Sequence, residues 1–153
     1  MVYDHTNTER LSAIDFGSIV PGSLGQEVVV WLWNKMNFRD APSAIDVRVS
    51  VIAGNAWAET IALLKYVSVK SSGVLDPDGI GILDDLEDDF TPIGGPLTDP
   101  GAYHSIGDIP TNCARRLTFR IDIPHGFDVH GIPRLIIQTG FLSSPVKWLY
   151  AKD

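Results

Sequence analysis

The residues predict an all-β chain: an antiparallel sandwich of about seven strands, broken by one long acidic loop insertion. Three observations lead there. Apolar residues come in short runs rich in Val, Ile, Phe and Trp, and two of those runs alternate strictly with polar residues. Fourteen Gly and ten Pro are spread between the runs, as many turns require. No strand–helix–strand rhythm and no long helical period appears. At 153 residues, 44% of them apolar and 20% charged, the chain is long enough to close one sizeable core.

Residues 1–10 are polar and read as an N-terminal arm, with one sandwich domain expected over 11–153. Met1 to Arg10 lacks the apolar segment of a signal peptide, and no run reaches membrane-spanning length. Leu11 to Phe16 reads as the first strand, and Pro21-Gly22-Ser23 with Gly25 as a turn. The run Val28-Val29-Val30-Trp31-Leu32-Trp33, between Glu27 and Asn34, is a buried strand by length and composition. It is apolar on both faces, whereas a sandwich strand normally shows one face to water. Its outer face, with Val29, Trp31 and Trp33, is therefore the candidate protein–protein interface, and Trp57 and Trp148 are candidates to join it.

Residues 34–43 read as a loop. From Ala44 to Ile52, Ile45, Val47, Val49 and Val51 share one face and Asp46, Arg48 and Ser50 the other. Trp57 to Lys70 ends in a strand with Val67 and Val69 on one face. Its first part, 56–64, fits either a strand or a short helical turn, because Ala58-Glu59-Thr60-Ile61-Ala62-Leu63 favours helix. Leu117, Phe119, Ile121 and Ile123 alternate with polar residues and should face inward. Leu135-Ile136-Ile137 and Val146 to Tyr150 complete the strands.

The insertion spans 71–114. It holds nine acidic residues and no Lys or Arg, so with a formal charge of −7 the rest of the chain sums to +2. Such a surface repels phosphate backbones, which excludes nucleic acid from that face, and it suits a basic partner or a divalent cation. Within it, Asp76, Asp78, Asp84 and Glu87 stand at positions one, three, nine and twelve of a calcium-type loop with Gly81 at six. Ile80 at position five lacks the expected oxygen, and the flanks do not read as a helix pair. A second candidate is His125, Asp128 and His130, two imidazoles and a carboxylate. Zinc there would need Cys113 or His104 brought in by the fold. Cys113 is the one cysteine, so no intrachain disulfide forms, and a free thiol suits a reducing compartment. Neither a nucleophile–base pair nor a phosphate loop stands out, and the expectation is a protein without enzymatic activity.

Ile14-Asp15-Phe16-Gly17, then Gly22, then Val28-Val29-Val30-Trp31-Leu32-Trp33-Asn34, resembles the opening of Hydin-type (ASH) immunoglobulin-like modules. In those, an aliphatic-Asp-Phe-Gly turn and a further Gly lead into a strand ending in Asn. The Asn side chain would satisfy backbone groups where the strand stops. The likeness covers residues 14–34 and fades beyond Ala44. It implies an immunoglobulin-like sandwich with a binding or scaffolding role. In style, a small acidic sandwich with one Cys is also similar to accessory structural proteins of tailed phages and prophages. That likeness implies a tail, baseplate or capsid component, located in a virion or in the cytoplasm and acting through protein contacts as a homo-oligomer or part of a larger assembly. A calcium- or carbohydrate-binding module is the alternative; otherwise no cofactor is expected.

Overall fold

The computed structural model describes residues 2–3, 21–22, 27–34, 43–75, 89–127, 135–143 and 147–150. In chain order the elements are β1 (Val2–Tyr3), β2 (Glu27–Trp33), β3 (Ala44–Ala53), α1 (Ala58–Leu63), a 3₁₀ turn (Leu64–Tyr66), β4 (Val67–Leu75), β5 (Thr91–Pro92), β6 (Tyr103–Ile109), β7 (Ala114–Ile121), β8 (Leu135–Ser143) and β9 (Lys147–Tyr150). They form two sheets in which every described pairing is antiparallel. One sheet has the order β1-β2-β7-β4-β5 and the other β6-β3-β8-β9.

Alternation explains which side chains form the core. Val30 and Leu32 of β2, Val67 and Val69 of β4, and Leu117, Phe119 and Ile121 of β7 meet Val47, Val49 and Val51 of β3 and Ile106 and Ile109 of β6 in one apolar cluster. Partly buried Leu135, Ile137 and Phe141 of β8 pack onto it. The inward set expected for 117–123 is found: all four residues are buried, Phe119 completely. The molecule is thus an antiparallel sandwich closed over a shared interior.

The segment Ile93–Gly95 fastens one sheet to the other. The Ile93 N–H donates to Val67 O at 3.0 Å in the first sheet, and the Gly95 N–H donates to Val51 O at 2.8 Å in the second. Gly94 sits between them, against the carbonyl of Leu64.

Of the two readings open for 56–64 the helical one holds: α1 runs into the 3₁₀ turn, and the strand begins only at Val67. Two expectations are corrected. The stretch 71–114 is not one loop. It begins within β4 and contains β5 and all of β6, an edge strand bonded to β3; residues 76–88 lie outside the described ones. Ile45 does not share the inward face of β3: it is 45% exposed. A bulge intervenes, with register shifts between Ala44 and Val47 and again between Val47 and Arg48. One extra residue reverses the facing of everything before it. The first expected strand, 11–16, lies outside the described residues.

Asn34 ends β2 as the sequence suggests. Its Nδ2 donates to Ile109 O at 3.0 Å and to Pro110 O at 3.3 Å. Its backbone N–H donates to Cys113 O, and its own carbonyl accepts from the Asn112 N–H. One side chain therefore ties the end of β2 to the turn between β6 and β7. Asn34→Asp puts carboxylate oxygens against two carbonyls and is expected to destabilise by about 2–3 kcal/mol. Urea unfolding of the two proteins side by side checks this; an unchanged midpoint counts against the role.

Candidate functional site

Register sorts the residues of β2 onto two faces. Val28, Val30 and Leu32 turn inward. Val29, Trp31 and Trp33 turn outward beside Thr118, Arg116 and Ala114 of β7. The apolar character of both faces has a local cause: Trp33 at 5% exposure and Ala114 at 0% form a second small cluster, with partly buried Trp31 against it. The Arg116 guanidinium carbon lies 5.9 Å from the Trp31 ring centroid, within cation–π range. Trp33 is thus covered within the single chain, and the apolar area left for a partner is that of the half-buried Val29 and Trp31. Trp57 and Trp148 do not join them. Trp57 precedes α1 at the far end of β3 and is 46% exposed, and Trp148 belongs to β9 in the other sheet.

Toward the other edge of that sheet, Phe90 is flanked by cations: Arg120 at 3.9 Å and Lys70 at 5.1 Å from its centroid. Arg120 Nε lies 2.8 Å from Asp122 Oδ2. An open cleft of about 260 Å³ beside them is lined by Lys65, Ser68, Phe90, Arg120 and Asp122 among others. Its lining carries two cations, Lys65 and Arg120, and one anion, Asp122, which pairs with Arg120.

The outer face of the four-stranded sheet is built around the bulge. Asp46 holds a φ of 49°, a left-handed conformation costly for a residue with a side chain. The polar groups around it hold it there. Its N–H donates to Asp108 Oδ1 at 2.9 Å, Ser105 Oγ donates to its Oδ1 at 2.9 Å, and Arg48 Nη2 donates to its Oδ2 at 3.0 Å. Arg48 in turn stacks 4.3 Å from the centroid of Tyr103. On the opposite strand, Gly107 takes a φ of 82° close to the Arg115 guanidinium, which donates to Asp108 O. Two isoleucines, Ile45 at 45% and Ile136 at 49% exposure, flank this polar centre along the strands.

Most of the candidate metal ligands lie outside the described residues. Asp76, Asp78, Asp84 and Glu87 lie outside them, as do Asp128 and His130. His125 is exposed, its ring against Gly22, where a Cβ would collide with it. Gly22 has a φ of 82° and its N–H donates to Ile123 O at 2.6 Å. Cys113 is buried just before β7, and His125 lies just past its other end, so the two are separated by the length of that strand, about 25 Å. No group of three or more His, Cys, Asp or Glu able to hold a metal occurs among the described residues. No described helix is long and apolar enough to cross a membrane.

Sequence reasoning pointed to the outer face of β2 and missed that of the four-stranded sheet. Part of the signal was present. Leu135-Ile136-Ile137 must alternate, so if 135 and 137 face the core then 136 cannot. For Ile45 there was none, because the bulge that turns it outward depends on Asp108. The arrangement defines an antiparallel all-β sandwich. No protein-family model, curated protein or solved structure matches the chain.

Proposed function

We propose that this chain is a non-enzymatic structural or docking protein of immunoglobulin-like type, a component of a phage or phage-like particle. The observation that carries the fold part of this reading is strand order. With the strands lettered as in immunoglobulin domains, β1-β2-β7-β4 stand as A-B-E-D, and β3-β8-β9 as C-F-G. Two strands depart from that plan. The two-residue β5 extends the first sheet beyond β4, and β6 takes the edge beside β3 although it follows β4 in the chain.

The likeness of residues 14–34 to Hydin-type modules falls on the approach to β2 and on β2 itself, which supports the same assignment. In this reading the protein works by surface burial. Val29 and Trp31 of β2, framed by Arg116, contact another subunit of the particle, while the acidic stretch keeps the assembly soluble.

Fractionation of particles from cells that make the protein tests the proposal. The chain is expected to co-purify with assembled particles and to be depleted from them when Val29 is replaced by Lys. Recovery only as free protein overturns the particle assignment. Calcium titration during thermal melting addresses the alternative module, since a cation bound by the native state alone raises its melting temperature. On the structural reading millimolar calcium leaves that temperature unchanged.

A further inference from the structure

We infer that the cleft beside Phe90 is a binding site for a carboxylate attached to an apolar group, as in a small arylalkanoic acid or the C-terminus of a polypeptide ending in an apolar residue. This does not rest on the function proposed above, which uses Val29 and Trp31 of β2, on the other side of β7 from β4.

Register builds the floor of the cleft. Arg120 of β7 stands opposite Ser68 of β4, and Ser68 stands opposite Pro92 of β5. All three belong to the outer face, in a row with one strand spacing of roughly 5 Å between neighbours. Lys65, in the 3₁₀ turn just ahead of β4, and Phe90, just ahead of β5, stand at its sides.

Three donors open onto this floor with no acceptor to meet them. Among the described residues the side chains of Lys65 and Ser68 make no hydrogen bond or ion pair, and the Arg120 guanidinium makes no hydrogen bond. Arg120 Nε is buried and 2.8 Å from Asp122 Oδ2, but out of line with it, so charge alone joins the two. A guanidinium only 27% exposed normally places several of its five N–H groups on acceptors. This one is also held still, between the Asp122 carboxylate and the Phe90 ring 3.9 Å away. A donor fixed beforehand loses little freedom when its acceptor arrives.

Charge and size select the ligand. Lys65 and Arg120 against Asp122 leave the lining with one positive charge in excess. Three further charges stand outside the lining: Glu27 opposite Arg120, Asp89 next to Phe90, and Lys70 at 5.1 Å from the ring centroid. An excess of one suits a monoanion, whereas a dianion such as phosphate meets repulsion from Asp122, Glu27 and Asp89. A planar carboxylate takes two parallel N–H bonds from a guanidinium, and Lys65 and the Ser68 hydroxyl can supply the others. Phe90 and Pro92 offer apolar surface to the rest of the molecule. The cleft of about 260 Å³ has room for about nine waters at ~30 Å³ each, which is the bulk of roughly ten heavy atoms.

Nitrogen–proton correlation NMR of the full chain, titrated with hydrocinnamate, tests this. Saturable shifts are expected at the amides of Ser68, Phe90 and Arg120, in the millimolar range and weaker at high salt. Hydrocinnamamide, which has the shape without the charge, and inorganic phosphate should produce none. Lys65→Gln and Arg120→Gln should each weaken binding by about tenfold. Lys65 is exposed, so its variant should fold as the parent does. Should Arg120→Gln unfold, Arg120→Lys replaces it and should still bind more weakly, since it keeps the charge and loses the fork. A peptide ending in Phe separates the two sources: tighter binding than hydrocinnamate assigns the carboxylate to a polypeptide end, weaker binding to a free acid. Titrations without saturable shifts overturn the inference, and so do equal shifts from the amide or phosphate, or binding that ignores the substitutions at both positions.

Discussion

Replacing Phe119 with Ala is expected to destabilise the fold by about 3–5 kcal/mol and to lower the melting temperature by roughly 10–20 °C. Phe119 is the largest completely buried side chain among the described residues. It sits mid-way along β7, the central strand of its sheet, paired with Val28 on one side and Val69 on the other. Its ring also faces the valines of the opposite sheet within the main cluster. Truncation loses the transfer free energy of the ring and leaves a hole that rigid, hydrogen-bonded strands cannot close. Total stability for a domain of this size is about 5–15 kcal/mol, so this one truncation removes a large share of it. Phe119→Leu keeps most of the volume and should cost far less, which makes the pair informative. Calorimetry or urea unfolding of both checks the claim. If Ala and Leu cost the same, the void is not the cause.

Gly94→Ala should cost about 2–3 kcal/mol and roughly 5–10 °C, for a reason visible neither in burial nor in φ. A Cβ on Gly94 would lie 2.5 Å from the Leu64 carbonyl oxygen and 3.1 Å from its carbon. The obstacle is backbone, held in the 3₁₀ turn, so a rotamer change cannot relieve it. The glycine cannot retreat either, because its own N–H donates to Ala102 O and its two neighbours are hydrogen-bonded to different sheets. Any shift that makes room loosens the connection between the layers. Gly101→Ala supplies the comparison: the nearest atom to its Cβ would be the Asp99 carboxylate oxygen at 3.6 Å, an ordinary contact on an exposed residue. Thermal melts that fall together for both substitutions would remove the steric explanation.

The candidate surfaces were legible to unequal degrees. The outward set Val29, Trp31 and Trp33 follows from alternation along β2 alone, and the structure places those residues on that side. Sequence could not show that Trp33 is already covered, because the cover includes Ala114, which pairs with it from a strand eighty-one positions away. The face bearing Ile45 and Ile136 was hidden by a single residue: without the bulge at Asp46, Ile45 keeps step with Val47 and points into the core.

The same division runs through the fold. By itself the sequence determined much of the material of the sandwich: that the runs within Glu27–Trp33, Ala44–Ala53, Ala114–Ile121, Leu135–Ser143 and Lys147–Tyr150 are strands, that Val47, Val49, Val51, Leu117, Phe119, Ile121 and Ile123 face inward, and that Asn34 closes β2. Each of these is decided by residues one or two positions apart, through β-branching, alternation and turn chemistry. Tertiary structure alone decided the distribution of strands between two sheets, the recruitment of Tyr103–Ile109 as an edge strand, the helical choice at 58–63 and the left-handed Asp46. That last bond joins Asp46 to Asp108 across 62 positions of chain. A conformation held by partners so distant leaves no period in the local sequence to be read.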